Sequence, residues 1–402
     1  MRIFIEPAEP LLFRTGRPFT AGEHNFAESL FPPTPETLQG AIRATIAVQW
    51  GGQQYPPLTH LSTIFQQQAL VDLVGKRTEE GNVYGRFRIT GQTLGWRDPH
   101  TRCVKRLFPA PAHMICAQVK DESGQKSERF ISLVPTRLHA GEQTNLPDAC
   151  SYVLEPGIGK DALAEKTEPL PGWLTARGLR AVLRGDELQD SEAYLHRTEQ
   201  IYGRESRLGI GMDNATKTTR EGYLYQVQMI RMQPGYGFVV DVAFGEAGNG
   251  RRSAPVRESL EEHPQALAFL KEGWLTLGGE QRAARFTVLP AEDLDGEDEI
   301  KPASSANLLY FATPACFKNG WLPDAPGIFP AHPVTAAVSR YQPIGGWYLE
   351  LQHAGGGSKD IRRCVPAGSV YFFDQPVSVP HPLTEYGWQA GYGIAYTGEW
   401  QA

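Results

Sequence analysis

The chain has 402 residues, of which 41% are apolar and 21% charged, with a formal net charge of −6. That length exceeds one typical domain and makes two the natural expectation, with ample chain to bury real cores. The acidic balance excludes a protein whose overall field attracts polyanions, so any nucleic-acid binding must rest on local basic patches.

Arg2-Ile3-Phe4-Ile5-Glu6 is a short β-rich run stopped by Pro7, which predicts a first strand. A polar loop, LFRTGRPFTAGEHN, follows. In SLFPPTPETLQGAIRATIAVQW, Thr34 suits an N-cap and Pro35 the first helical position. Leu38, Ala41, Ile42, Thr45 and Ile46 then recur at helical spacing until Gly51-Gly52. Residues from about 53 to 205 read as an elaboration, with strands expected near Arg86–Thr90, His113–Val119 and Arg129–Val134 and a helix over Trp173–Arg184. Strand signal returns at Leu208–Met212, Tyr223–Arg231 and Tyr236–Phe244. SLEEHPQALAFLKEG reads as a helix closed by Gly273, LTLGGEQ as a glycine loop, and Ala284–Leu289 as a strand.

Without the elaboration the order is strand, helix, strand, strand, helix, glycine loop, strand. That is the βαββαβ order of a ferredoxin-like, RRM-like unit. The acidic stretch AEDLDGEDEIK then reads as a solvated linker. As a calcium loop it has its glycine too early and Ser304 where a bidentate Glu is needed. Beyond it the pattern recurs in shorter form: strands at Asn307–Thr313, Trp347–Gln352 and Ser369–Phe373, a short helix in HPLTEYG, and a last strand in Gly393–Trp400. Gly391-Tyr392-Gly393 thus falls where Gly278-Gly279 falls, ahead of a final strand. The expected fold class is α+β, with two ferredoxin-like domains. Residues 1–292 form the first, carrying the large insertion at about 53–205, and residues 303–402 form the second.

The five cysteines, Cys103, Cys116, Cys150, Cys316 and Cys364, are odd in number and contain no close pair. They read as a reducing compartment with neither a disulfide framework nor a zinc site. Glu6 and Glu9 interrupt what a secretory signal would need, and no run reaches membrane-spanning length. The expectation is a cytoplasmic protein with no membrane partner.

GYGIAYTG lacks the G-x-G-x-x-G spacing of a dinucleotide loop and leads into β-branched and aromatic residues. AGGGSKD lacks the P-loop order. A glycine-rich turn most often serves chain reversal alone, but two at matching places also suit close backbone approach to a phosphate. Cations cluster locally: Arg86, Arg88, Arg97, Arg102, Lys105 and Arg106 against Asp98; Arg14 and Arg17 around Gly16; Arg204 and Arg207; and Lys217 and Arg220 in DNATKTTREG. Singly each reads as a solvated charge. Together with interleaved aromatics they suit the backbone of single-stranded nucleic acid. No metalloprotease, serine-hydrolase or carboxylate-ligand motif appears, and neither a metal nor a cofactor is implied. His24, beside Arg14 and Arg17, is the one candidate general base, and an exposed or packing histidine is the stronger reading.

MRIFIEP, LFRTGRPF, FPPTPETLQGAIR, LGIGMDNATKTTREGYLY, WLTLGGEQR and GYGIAYTGEW, in that order, together resemble the third subunit of the Cmr complex. That complex is the type III-B CRISPR effector, and the subunit belongs to the RAMP superfamily. The resemblance implies two ferredoxin-like domains and a non-catalytic RNA-binding role. Its partners would be the 5′ handle of the CRISPR RNA, the large polymerase/cyclase-type subunit and the backbone RAMP subunits. Carried onto this chain, it makes Arg14, Gly16, Arg17, Gly278, Gly279, Arg282, Gly391 and Gly393 handle-binding candidates. The Asp213–Glu221 hairpin, with Arg207, Lys217 and Arg220, would be a projecting thumb. The rival is a metal-independent RAMP endoribonuclease with His24 as base; a third reading is a protein-only assembly adaptor.

Overall fold

The computed structural model describes residues 1–15, 26–53, 61–78, 81–120, 125–139, 146–147, 150–158, 163, 167–213, 215–245, 272–290, 293, 299–300, 306–324, 327–329, 331–348, 357–378 and 382–400. The protein is α+β and mostly strand. In chain order the elements that position the site are β1 (Arg2–Pro7), β2 (Phe26–Ala27), α1 (Pro35–Gly52), β3 (Phe87–Arg97), β4 (Val104–Pro109) and β5 (Trp173–Thr175). They continue with α2 (Ala176–Leu183), β6 (Leu195–His196), β7 (Tyr202–Met212), β8 (Thr219–Met232), β9 (Tyr236–Phe244), β10 (Glu272–Leu277) and β11 (Arg282–Val288). The last four are β12 (Leu308–Phe311), β13 (Thr335–Ala337), β14 (Val370–Phe372) and β15 (Ala395–Gly398).

The principal sheet has eight strands in the order β6-β5-β4-β3-β9-β1-β11-β10. At its centre β11, β1, β9 and β3 pair antiparallel throughout. Among these four, the fourth in the chain lies beside the first, then the third, then the second. The second sheet, β15-β12-β14-β13, repeats that order with every pair antiparallel.

α1 covers one face of the principal sheet. Pro35 begins it as expected, and Thr34 is extended at the cap, its hydroxyl meeting the Thr37 hydroxyl at 3.0 Å. Leu38, Ala41, Ile42 and Ile46 pack against Ile3, Ile5, Ile89, Phe238 and Phe286. Burying each such side chain contributes roughly 1.5–3 kcal/mol. A second cluster joins both parts of the chain: Phe108, Leu174, Leu179 and Leu183 pack with Leu308, Tyr310, Val370 and Phe372. The Tyr310 hydroxyl also donates to the Pro109 carbonyl at 2.7 Å. The two sheets therefore share buried side chains across the acidic stretch.

Several expectations need correction. Part of the segment read as an elaboration, 53–205, supplies β3, β4, β5 and β6 to the principal sheet. The second core strand is β3, whereas β7 and β8 form a separate three-stranded sheet with β2. The signal misleads for a physical reason. β3 is buried on both faces through Gly91–Gly95, so its polarity does not alternate, while the half-exposed hairpin alternates strongly. Gly95 also weakens the strand signal, yet a Cβ there would meet Val239 at 2.5 Å. The expected helix ending at Gly273 lies outside the described residues except for Glu272 and Gly273, which open β10. Residues 382–387 carry no helix; a single 3₁₀ turn follows at Trp388–Ala390. Trp173–Thr175 is strand, and only Ala176–Leu183 is helical, capped by the Thr175 hydroxyl accepting from the Gly178 amide at 3.1 Å.

The expectation of no disulfide among the cysteines is also overturned. Cys316 and Cys364, 48 residues apart, form a disulfide with Cα atoms 4.3 Å apart. The neighbouring Ala315 and Val365 bridge antiparallel, which brings the two thiols together. Among the described residues no helix is long and apolar enough to cross a membrane, and no group of three His, Cys, Asp or Glu is placed to hold a metal ion.

Candidate nucleic-acid interface

The segment Leu11–Arg14 connects the first glycine loop with the root of the hairpin. Leu11 exchanges two backbone hydrogen bonds of 2.8 Å with Ile230 of β8. The next carbonyl, Leu12, accepts from the Gly279 amide at 2.7 Å. Arg14 is exposed and bridges to Ser29. Gly16, Arg17 and His24 lie outside the described residues.

The first loop turns β10 into β11. Gly278 has φ +76°, and a Cβ there would sit 2.6 Å from the Leu12 carbonyl oxygen. Glu280 and Gln281 also occupy the left-handed region, at φ 59° and 51°. Two consecutive non-glycine residues there are uncommon and strained, a state that surrounding structure must enforce. Arg282 pairs with Glu280, and its Nε is buried with no hydrogen-bond partner. Gly278, Glu280 and Gln281 are exposed. Gly278, Gly279 and Arg282 thus share one corner of the principal sheet, and Arg14 follows two residues after the Leu12 carbonyl that the Gly279 amide binds.

Arg207, Lys217 and Arg220 belong to the β7–β8 hairpin. The Asp213 carboxylate shapes its tip, accepting from the Ala215 amide at 2.8 Å and the Thr216 amide at 3.2 Å. Those bonds, Thr216 first, hold the carboxyl below the usual aspartate range. Lys217 is exposed there with φ 57°. Arg220 lies at the start of β8. Arg207, in the shaft, is occupied by its own chain: Glu205 binds it at 2.7 Å and Arg231 at 2.6 Å.

The second glycine loop has another setting. Gly391 and Gly393 are buried, at φ +97° and +71°. A Cβ on Gly391 would stand 2.7 Å from Ile89 of β3, and one on Gly393 2.4 Å from the Leu383 carbonyl oxygen. The loop docks on the principal sheet and α1. Gln39 donates to the Gln389 carbonyl at 3.1 Å, and the Arg88 guanidinium lies 4.6 Å from the Trp388 ring centroid. Tyr386 donates to Glu36, which also holds Lys359 at 3.1 Å. Burial, reinforced by the Glu36 charge, pushes the Tyr386 phenol well up and keeps it a neutral donor.

The basic run 84–106 does not form one patch. Arg106 is buried at 3.7 Å from Asp241, Arg97 meets Glu6 at 3.6 Å and Lys105 meets Asp98 at 3.2 Å. What sequence reasoning missed is a cavity of about 400 Å³ where the two parts of the chain meet, lined by Phe31, Pro33, Gln92, Trp173, Arg340 and Tyr341. Eight separated segments build it, and no local pattern announces such a convergence.

The family model for the CRISPR-associated protein Cas_Cmr3 matches residues 3–400. Among curated proteins none matches this chain. Among solved structures, a chain of the type III-B Cmr-beta complex bound to cognate target RNA and AMPPnP, studied by cryo-EM in state 1, is 14% identical. The match covers 92% of this chain and 86% of that chain at a TM-score of 0.45. A chain of Cmr-beta bound to cognate target RNA is 16% identical with the same coverage and a TM-score of 0.42. One from the apo state is 12% identical over 72% of this chain and 97% of that chain, at 0.29.

Proposed function

The chain belongs to the Cas_Cmr3 family of CRISPR-associated proteins, and from that premise we propose that it is a subunit of a type III-B CRISPR effector that holds the 5′ handle of the CRISPR RNA without catalysing a reaction. In this reading it also docks the large polymerase/cyclase-type subunit and contacts the backbone RAMP subunits. The observation that carries it is the exposed turn at Gly278 and Gly279, with Arg282 just after it, bonded to Leu12 two residues before the exposed Arg14 and beside the root of the hairpin. An exposed glycine turn with guanidinium groups close by in the chain suits a phosphate, the missing Cβ allowing close approach and the cations neutralising its charge. Lys217 at the hairpin tip extends the track.

The repeated strand order supports reading both sheets as ferredoxin-like domains, with β1, β3, β9 and β11 in the first and β12 to β15 in the second. The test is binding of labelled handle RNA by the assembled complex. Arg14→Ala and Arg282→Ala together lower affinity about tenfold and reduce the salt slope by about two phosphate contacts. Unchanged affinity and slope would overturn the proposal. Cleavage of repeat RNA in EDTA, abolished by His24→Ala, would replace it with the ribonuclease reading.

A further inference from the structure

The hairpin carries a concentration of exposed apolar surface that RNA binding does not explain. Phe26 is 51% exposed, Leu208 74%, Ile210 51% and Leu224 53%. The pairings Leu208 with Gln226, Gln226 with Phe26, and Ile210 with Leu224 put all four apolar side chains on one face. The opposite face is closed: Val227 and Met229 pack on Leu12. β7 is also the edge of its sheet, bonded to β8 alone among the described strands. Eleven residues of edge backbone beside an apolar face are a template for another strand, which a protein working alone would blunt.

Charge identifies the kind of partner. The shaft's cations are neutralised within the chain: Arg204 by Glu28 at 3.5 Å, and Arg207 and Arg231 by Glu205. A nucleic-acid surface needs cations and aromatic stacking platforms; among the described residues this face presents Leu208, Ile210 and Leu224 with Phe26 beside them, and its cation Arg204 is the one paired with Glu28. The exposed cation Lys217 is at the tip, beyond this face. We propose that the free edge of β7 and its Leu208–Ile210 face seat an extended strand from a neighbouring protein subunit. That strand is uncharged and alternating, with its apolar residues on the Leu208 side. The proposal rests on the chain working within an assembly; it does not depend on which residues hold RNA.

Amide hydrogen exchange over residues 204–212 tests it, measured on the free chain, on the RNA-free subassembly of co-expressed effector proteins, and on the complete complex. At least tenfold slower exchange in the RNA-free subassembly is expected. Protection that appears only with RNA overturns the proposal, as does no protection in either assembly. Concentration-dependent protection of the free chain would make the occupant a second copy and overturn it too. Leu208→Asp with Ile210→Asp should release one protein subunit during purification, with the unfolding midpoint of the free chain unchanged. Retention of every subunit by this folded variant counts against the seat.

Discussion

The two glycine loops occupy equivalent places, each just before the last strand of a sheet whose strands run in the same order, yet they face different surroundings. Gly278 turns in solvent, where a Cβ would meet the Leu12 carbonyl oxygen at 2.6 Å. Gly391 and Gly393 are buried, one against Ile89 and the other against Leu383. Both loops require left-handed backbone, so glycine alone does not distinguish them. The surroundings do: the first loop leaves its outer surface exposed, and the second is buried where two parts of the same chain join.

The sharpest way to break this contrast is a Cβ in the buried loop. In Gly393→Val, left-handed strain of about 1–2 kcal/mol adds to overpacking of roughly 1–3 kcal/mol against the Leu383 carbonyl. A loss of about 4 kcal/mol is expected, read as a fall in unfolding midpoint of roughly 10 °C. A variant that melts like the parent but no longer binds handle RNA would show the second loop to be an RNA surface as well.

Acid probes the cluster that holds the two sheets together. His113 is buried against the Phe372 ring, 5.7 Å between centroids, and desolvation pushes its pKa down to about 4. Below the ordinary value near 6.5 the unfolded chain binds a proton that the folded chain refuses. Stability is therefore full above that pH and falls as pH drops toward 4, by roughly 3 kcal/mol from this group. His113→Gln should flatten that part of the pH–stability curve. An unchanged curve would place the acid sensitivity elsewhere.

The docking contacts come next in size. Glu36→Ala removes the acceptor of Tyr386 and the partner of Lys359, leaving a half-buried phenol without that acceptor at a cost of about 1 kcal/mol. Limited proteolysis between the two parts should accelerate, while handle binding by the folded fraction stays at the parental level. A parallel loss of both would tie the two loops together.

How much of this was legible follows from what each residue reports locally. α1 was read almost to the residue because Pro35, the 3.6-residue apolar spacing and Gly51-Gly52 are all local signals. β9 was read to its ends. β3 was missed as a core strand because burial on both faces removes alternation, and the disulfide because 48 residues separate two thiols that only strand pairing unites. For the site, the matching position of the two glycine loops was legible. Their opposite exposure was not, since it depends on α1 and β3, hundreds of residues away in the chain.

The exposed turn separates the loops most cleanly. Gly278→Ala puts a Cβ 2.6 Å from the Leu12 carbonyl oxygen at a backbone conformation (φ 76°, ψ −162°) that is essentially glycine's alone, at a cost of roughly 1–3 kcal/mol, so the protein folds with a midpoint several degrees lower. If exposed backbone there meets a phosphate, handle affinity falls severalfold, and the loss shrinks as salt rises and screens the contact. Glu280→Gln, two positions away, weakens the internal ion pair of Arg282 and should leave affinity slightly higher, because the guanidinium is freed for RNA. Opposite signs for two neighbours in one exposed turn are hard to obtain from folding alone. Equal losses would reduce the loop to chain reversal, like its buried counterpart.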